Sequence, residues 1–226
     1  MSQWHKEAEK KWDERADFWN QNSQEMWDHG SRSTIIPFFQ KHIEPPCTVL
    51  DAGCGDGYGA FKLSEQGYQV IGVDLSKQMV KIAKKRETGK SLQFIQGDLT
   101  KLPFQDEEFE AIMAINSLEW TEDPLSVLKE LSRLLKEKGY LCIGLLGPTA
   151  VPRKNSFQRL YGERVVCNTM MPWELEQLAT ENGYTVIDGL GVYKREVKPT
   201  TLSGLPSELK QALTFMWVSI LQKKSS

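Results

Sequence analysis

The run Thr48-Val49-Leu50-Asp51-Ala52-Gly53-Cys54-Gly55-Asp56-Gly57-Tyr58-Gly59 constrains this chain more than any other. Val49 and Leu50 read as a strand packed on both faces. Gly53, Gly55 and Gly57 lack Cβ, so the backbone turns tightly there and a ligand comes close to it. Tyr58 to Gln66 reads as a helix, stopped by Gly67 in a left-handed C-terminal cap. Strand, glycine turn and helix in this order make a nucleotide-type ligand site.

The residues argue against a dinucleotide. The G-x-G-x-x-G/A fingerprint starting at Gly53 and Gly55 needs a small residue at position 58, where this chain has Tyr58. Asp51, just before the turn, is an acceptor suited to a cationic amine rather than to a phosphate. The next strand, Tyr68 to Asp74, ends in a second acid 21 residues after Gly53. A carboxylate there accepts hydrogen bonds from both ribose hydroxyls. Asp74 also precedes a helix near Ser76 to Thr88, where an acid interacts with the helix dipole.

Beyond this turn, strands and helices alternate. Strands are expected at 48–52, 69–74, 92–96, 109–115, 139–146, 184–196 and about 213–222, with helices near 58–66, 76–88, 124–136 and 172–182. Pro124 and Pro172 sit where a first-turn proline is tolerated. Leu125, Leu128, Leu131 and Leu135 form a buried stripe. Such alternation implies a mostly parallel sheet covered on both faces. Ahead of it, Trp4, Ala8, Trp12, Ala16 and Trp19 make one face of an amphipathic helix over 4–21. A second helical piece, 33–42, stops at Pro45-Pro46.

Composition narrows the class. At 226 residues the chain fits one domain with a substantial core. A net charge of −2 gives no bulk attraction to nucleic acid. The basic run Lys81 to Arg86, with Lys84 and Lys85, reads as a solvated helix face. Four cysteines, at 47, 54, 142 and 167, make no C-x-x-C pair, and only three histidines are present, so a structural metal site is not expected. The first residues are charged rather than signal-like, and the longest apolar run is too short for a membrane span. A cytoplasmic protein is expected.

Val49-Leu50-Asp51-Ala52-Gly53-Cys54-Gly55-Asp56-Gly57, Gly72-Val73-Asp74-Leu75-Ser76, Gly97-Asp98-Leu99, Leu118 to Pro124 and Leu134 to Tyr140 occur in one order. In this order the chain resembles the class I S-adenosylmethionine-dependent methyltransferases, and within them the type 11 small-molecule branch that includes ubiquinone-biosynthesis methyltransferases. The likeness covers roughly residues 40 to 147. It implies an α/β, Rossmann-like, doubly wound sheet of seven strands, mostly parallel with an antiparallel last strand inserted at the sheet edge. It implies S-adenosyl-L-methionine as cofactor, held by Asp51, Gly53, Gly55, Asp74, Leu75, Asp98, Leu99 and Asn116. In such proteins the acid at Asp98 accepts from the adenine amine, and the next backbone N–H donates to the ring. Resembled proteins also begin with an aromatic-Asp-x-x-Ala-x-x-aromatic segment that folds over the cofactor. Here it is Trp12 to Trp19, which adds Trp19 to the site and makes residues 1–44 a helical cap on a 45–226 methyltransferase domain.

The acceptor is less determined. Asn116-Ser117-Leu118-Glu119 lacks the Asn/Asp-Pro-Pro-aromatic motif of base-methylating relatives, which argues against nucleic acid. Trp120 stands where small-molecule members often carry histidine; a pocket wall there favours an apolar or aromatic substrate. Residues 147–183, with Arg153, Arg159, Tyr161, Arg164, Met170, Met171 and Trp173, are expected to form a further pocket wall. His29, His42 and Tyr58 are candidate bases, though structural roles suit each, and no catalytic residue is nominated. Methyl transfer to a small molecule is the leading expectation, without metal. A protein or nucleic-acid methyltransferase, a nucleotide-dependent oxidoreductase and a non-catalytic cofactor-binding module are the alternatives.

Overall fold

Strands that are apolar on both faces must be covered on both faces. The computed structural model, which describes residues 2–225, meets that demand with one seven-stranded sheet between helical layers. The strands are β1 (Thr48–Ala52), β2 (Gln69–Asp74), β3 (Leu92–Gln96), β4 (Phe109–Ile115), β5 (Leu135–Leu146), β6 (Tyr184–Tyr193) and β7 (Thr214–Lys223). Their spatial order is β3-β2-β1-β4-β5-β7-β6. Pairs from β3 through β5 are parallel, and β7 is antiparallel to both β5 and β6. The outermost strand is therefore β6, not the last one. Met216, Val218, Ile220 and Leu221 of β7 are all buried and need cover on both faces, whereas 185–187 of β6 are exposed and tolerate an edge.

Alternation along each strand divides the core into two layers. Val49, Val70, Phe94, Met113 and Cys142 face one layer, with Trp27, Ile35, Phe39 and Leu63 from the helices that cover it. Leu50, Val73, Ile112, Leu141 and Ile143 face the other, under Leu128, Leu131 and Leu175. The helices are α1 (Gln3–Asp28), α2 (Ile35–Gln40), α3 (Tyr58–Glu65), α4 (Lys77–Ala83), α5 (Pro124–Leu134), α6 (Pro172–Glu181), α7 (Pro199–Leu202) and α8 (Ser207–Ala212).

Several boundaries differ from those the pattern suggests. The first helix runs seven residues past 21, because its buried face continues through Ser23 and Trp27 in a stretch that reads as polar. The helix expected over 76–88 ends at Ala83 and gives way to a 3-10 turn, Lys84–Arg86. The cause is Arg86, which turns back to donate to the Asp56 backbone carbonyl and carboxylate. β5 begins at Leu135 rather than 139: Leu135 leaves the helix in extended geometry and pairs with Phe109 across a register shift. The polar stretch after β6 holds the short helices α7 and α8.

Because β1 is flanked by β2 on one side and β4 on the other, the chain reverses its winding between β1 and β4. Ligands bind outside the carboxyl ends of strands at such a switch point. One contact closes this region from the side: a Cβ on Gly59 would lie 2.4 Å from the Trp27 ring. Gly59→Leu is expected to force α1 and α3 apart and to lower stability by about 1–3 kcal/mol, the usual cost of overpacking. Urea unfolding of the two proteins measures it, and an unchanged midpoint would show that α1 yields freely.

Candidate functional site

Four acidic or amide side chains stand at the carboxyl ends of the first four strands: Asp51, Asp74, Asp98 and Asn116. All four line one cavity, with Gly53, Gly55, Leu75, Leu99 and Trp19. Every residue expected to hold the cofactor is thus gathered there. The empty space between these residues, open solvent at its mouth included, is about 940 Å³.

The glycine turn is tied to β2 from both sides. The N–H groups of Gly53 and Cys54 donate to the Val73 carbonyl at 2.8 and 2.9 Å. The Gly55 N–H donates to Asp74 Oδ2 at 2.8 Å, and the Ser76 N–H to Oδ1 at 2.8 Å. Asp74 therefore fastens both the turn and the start of α4. An ionised carboxylate has about four lone-pair sites, so acceptor capacity remains on the cavity side. The turn needs glycine for geometry as well: Gly53 has φ +81°, and a Cβ there would lie 2.3 Å from that of Ser117.

Asp98 caps its own turn, accepting from the Thr100 N–H and hydroxyl, and its other oxygen meets His5 Nε2 at 3.1 Å. Asn116 holds a left-handed backbone, φ +53°. Its amide donates to Glu119 at 3.2 Å and its oxygen accepts from Arg32 at 3.4 Å. Leu75 and Leu99 supply apolar surface beside Asp74 and Asp98.

Helix α1 forms the opposite wall. His5, Ala8, Trp12, Trp19 and Trp27 point into the cavity, whereas Phe18 points to solvent. Trp12 packs edge-on against Trp19 at 5.9 Å and against Trp120 at 5.3 Å. The Trp4 indole donates to the Trp120 carbonyl at 2.8 Å. Polar ties fix the helix along its length. Asp13 accepts from the Ser76 hydroxyl and the Gln78 N–H, capping α4 from outside, and Ser23 donates to Asp56 at 2.5 Å.

The electrostatics are unusual for a buried site. Asp51 is only 3 % exposed. Burial, reinforced by repulsion from Asp74, pushes its carboxyl up to about 7, against the pull of Arg32. Burial also raises Asp74 to about 6, opposed by its two backbone hydrogen bonds. Arg32 is buried in the same space, its guanidinium 4.9 Å from the Trp19 ring centre and 5.6 Å from that of Trp27. Burial lowers it to about 10, with Asp56, Asp51 and Glu119 opposing. A cavity with clustered acids and one guanidinium suits a ligand carrying both positive charge and a carboxylate.

Other expected residues lie elsewhere. No part of 147–183 lines this cavity. Arg153 is committed to structure, donating to the carbonyls of Leu146, Gly147, Thr169 and Met170. Arg164 pairs with Glu122. Arg159 donates to Ser156. None of the three candidate bases is in place: His29 pairs with Glu25, His42 with Asp188, and the Tyr58 hydroxyl donates to Asp28. Trp120 does line the cavity, and its indole nitrogen and the Ser117 hydroxyl are buried without a hydrogen-bond partner among the described residues.

His5 and Arg32 escaped sequence reasoning, and Asp13 and Asp56 stood inside the motifs without being singled out. Asp56 sits inside the glycine turn itself and was readable as a possible contact. Arg32 and His5 carry no local signal, because tertiary folding alone brings them to the strand ends.

Residues 50–143 match the family model described as a methyltransferase domain, type 11. Residues 50–143 form a methyltransferase domain. It is of the S-adenosylmethionine-dependent class, and S-adenosyl-L-methionine is its cofactor. The chain is 39 % identical over 126 residues to the demethylmenaquinone methyltransferase of Lactococcus lactis, a match covering 53 % of this chain and 50 % of that protein. It is 32 % identical over 101 residues to the ubiquinone biosynthesis O-methyltransferase of Aliivibrio fischeri, covering 43 % of each. The match thus spans about half or less of these curated relatives. Among solved structures, a SAM-dependent methyltransferase from Methanosarcina mazei shares the fold with a TM-score of 0.66 at 20 % identity, over 84 % of this chain and 98 % of that one.

The domain's residues fit this cofactor. The glycine turn, where a Cβ on Gly53 would meet Ser117, and the acid cluster with Arg32 beside it suit a ligand that carries a sulfonium, an ammonium and a carboxylate. Such a cation favours ionised Asp51 and Asp74, so binding releases protons where these acids are still protonated. Affinity is therefore expected to rise with pH, by up to about ten-fold per unit for each proton released, and to level off above about 7. Calorimetry between pH 5 and 8.5 checks the slope. A pH-independent affinity would mean that neither acid senses the ligand.

Proposed function

We propose that the chain transfers the methyl group of S-adenosyl-L-methionine to a small, largely apolar or aromatic acceptor. The observation that carries this is the wall formed by Trp12, Trp19 and Trp120 across the cavity from the acid-tipped strands. Flat aromatic surfaces suit an aromatic ring. The relatives from Lactococcus and Aliivibrio, a demethylmenaquinone and a ubiquinone-biosynthesis methyltransferase, support the same class.

In this reading Asp74 takes the ribose hydroxyls, and Asp98 with the Leu99 N–H takes the adenine. Leu75 packs on the base, and Asp51 with the Gly53 and Gly55 backbone holds the amino-acid end, whose carboxylate goes to Arg32. Asn116 borders the reacting end at the switch point, and Trp19 closes over it. The cofactor supplies a methyl group already activated on a sulfonium. The protein supplies placement, orientation and exclusion of water. No side chain is assigned as a base, because His29, His42 and Tyr58 are all committed outside the cavity. Residues 1–44 act as a cap, through α1, on the 45–226 methyltransferase domain.

A net charge of −2 gives no bulk attraction to nucleic acid. All four cysteines are free, as a reducing compartment such as the cytoplasm leaves them. No helix among the described residues is long and apolar enough to cross a membrane.

Asp74→Ala is expected to weaken cofactor binding by roughly 1–3 kcal/mol, the scale for losing hydrogen bonds to a charged acceptor, with circular dichroism unchanged. An unchanged dissociation constant would confine Asp74 to holding the turn and α4.

The acceptor class is tested by incubating the protein with tritiated cofactor and, separately, a small-molecule extract, total protein and total nucleic acid. Label should enter the small-molecule fraction. Trp120→Ala should then raise the acceptor KM by roughly ten-fold or more, as loss of a buried aromatic wall implies, and leave cofactor affinity within about two-fold. Label chiefly in protein or nucleic acid overturns the acceptor class, and label in none leaves a cofactor-binding module.

A further inference from the structure

His5, Glu9 and Asp13 of α1 stand four residues apart, and side chains at that spacing lie one above the other along a helix. Each reaches a group at the carboxyl end of β2 or β3. Asp13 accepts from the Ser76 hydroxyl and the Gln78 N–H. Glu9 accepts from the Gln96 amide at 3.0 Å, and that amide also donates to the Leu75 carbonyl at 3.0 Å. His5 meets Asp98 at 3.1 Å. The stripe thus runs along the strand ends to which the ribose and the adenine are assigned, and His5 is the member of it that lines the cavity.

The first turn of α1 fixes the His5 ring. The Ser2 hydroxyl donates to Glu122 at 2.7 Å, and the Trp4 indole donates to the Trp120 carbonyl at 2.8 Å. Both ties land on the segment after β4, on either side of His5 in sequence. The Ser2 N–H reaches His5 Nδ1 at 3.3 Å. A carboxylate only accepts, so Nε2 carries the hydrogen that points at Asp98. Only 15 % of the His5 side chain and 26 % of that of Asp98 are exposed, so water competes weakly for this bond. The lone pairs of Asp98 can then be counted. Oδ1 accepts from both the N–H and the hydroxyl of Thr100, at 2.9 and 2.8 Å, and Oδ2 accepts from His5. A carboxylate has about four such sites, so one remains, on Oδ2.

We propose that His5 is a positioning residue for the adenine of the cofactor: it fills one side of Asp98 Oδ2 and leaves the other as the acceptor site for the ring amine. The role rests on the assignment of the adenine to Asp98. With His5 in place the carboxylate cannot turn away from the base, so a purine edge that brings an oxygen instead of an amine meets a fixed acceptor and is rejected. The cap therefore takes part in choosing the base as well as in covering the cavity.

The test is calorimetry of the whole chain with S-adenosyl-L-homocysteine and with S-inosyl-L-homocysteine, in which an oxygen replaces the adenine amine. The adenine ligand is expected to bind roughly ten-fold or more tighter, as a hydrogen bond to a charged acceptor implies. His5→Phe, which fills the same space without a donor, and His5→Ala should both cut that preference to about three-fold or less. His5→Gln, whose amide places a donor near the position of Nε2, should keep it. Asp98→Asn should reverse it, because an amide donates to the inosine oxygen. Circular dichroism verifies that each protein is folded. A wild-type ratio in His5→Phe and His5→Ala overturns the proposal alone, even where both ligands bind more weakly, since a mere anchor of α1 would weaken both by the same factor. A His5→Gln protein that loses the preference removes the hydrogen bond as its cause. An unchanged ratio in Asp98→Asn instead takes the adenine away from Asp98, and the role of His5 falls with that assignment.

Discussion

The structure depends on holding carboxylates close together at strand ends that are buried or partly buried. Asp51 and Asp74 end adjacent parallel strands, and the register places Asp51 opposite Gly72 and Ala52 opposite Val73. Burial raises both acids. A carboxyl raised in the native state keeps a proton that the unfolded chain has released, so stability falls as pH rises from the ordinary carboxylate range through about 7. The cluster therefore costs stability near neutrality, and the glycine turn, Arg32 and the backbone N–H groups of Gly55 and Ser76 offset only part of that cost. A cationic ligand would offset more of it. Strain of this kind is expected at a binding site and unexplained in a purely structural one.

The same constraint explains the length and fixity of α1. Buried acids need a dry wall, and the sheet offers none on its open end. The helix brings Trp12, Trp19 and Trp27 over the strand tips and is held by side-chain bonds spread over most of its length: His5 to Asp98, Asp13 to the start of α4, and Ser23 to Asp56. A freely swinging lid would have fewer such ties. At the first turns the His5–Asp98 contact occupies the acid assigned to the adenine. Closure and cofactor binding thus draw on one carboxylate.

Much of this was legible in the sequence because the informative residues are contiguous. The glycine turn, the acid 21 residues on and the alternation of strands with helices are local patterns, and the fold and the acid-tipped strand ends follow from them. The failures share a physical cause. Ser23 and Trp27 extend α1 through a segment too polar to show its buried face, and Arg86 breaks a helix for a partner 30 residues away. Arg153 looked available for substrate because its four carbonyl acceptors are backbone groups, which no side-chain pattern reveals. Arg32 was invisible because a lone arginine between helices carries no period and no motif.

Arg32 also shows how the two halves of the site are joined. Its guanidinium lies over Trp19 and Trp27 of α1 and reaches Asn116 at the end of β4. Asn116, in a left-handed conformation that few residues other than glycine adopt readily, is held from the other side by Glu119. Glu119 Oε1 in turn accepts the Leu146 N–H at the end of β5. The chain of contacts runs from the cap through the cavity to the central strands, and every member of it is at least partly buried. Because Glu119 occupies the donor side of the Asn116 amide, the oxygen side is the one turned to Arg32. The polarity of the cavity at the switch point is therefore set from behind, by a buried acid that does not itself line the space.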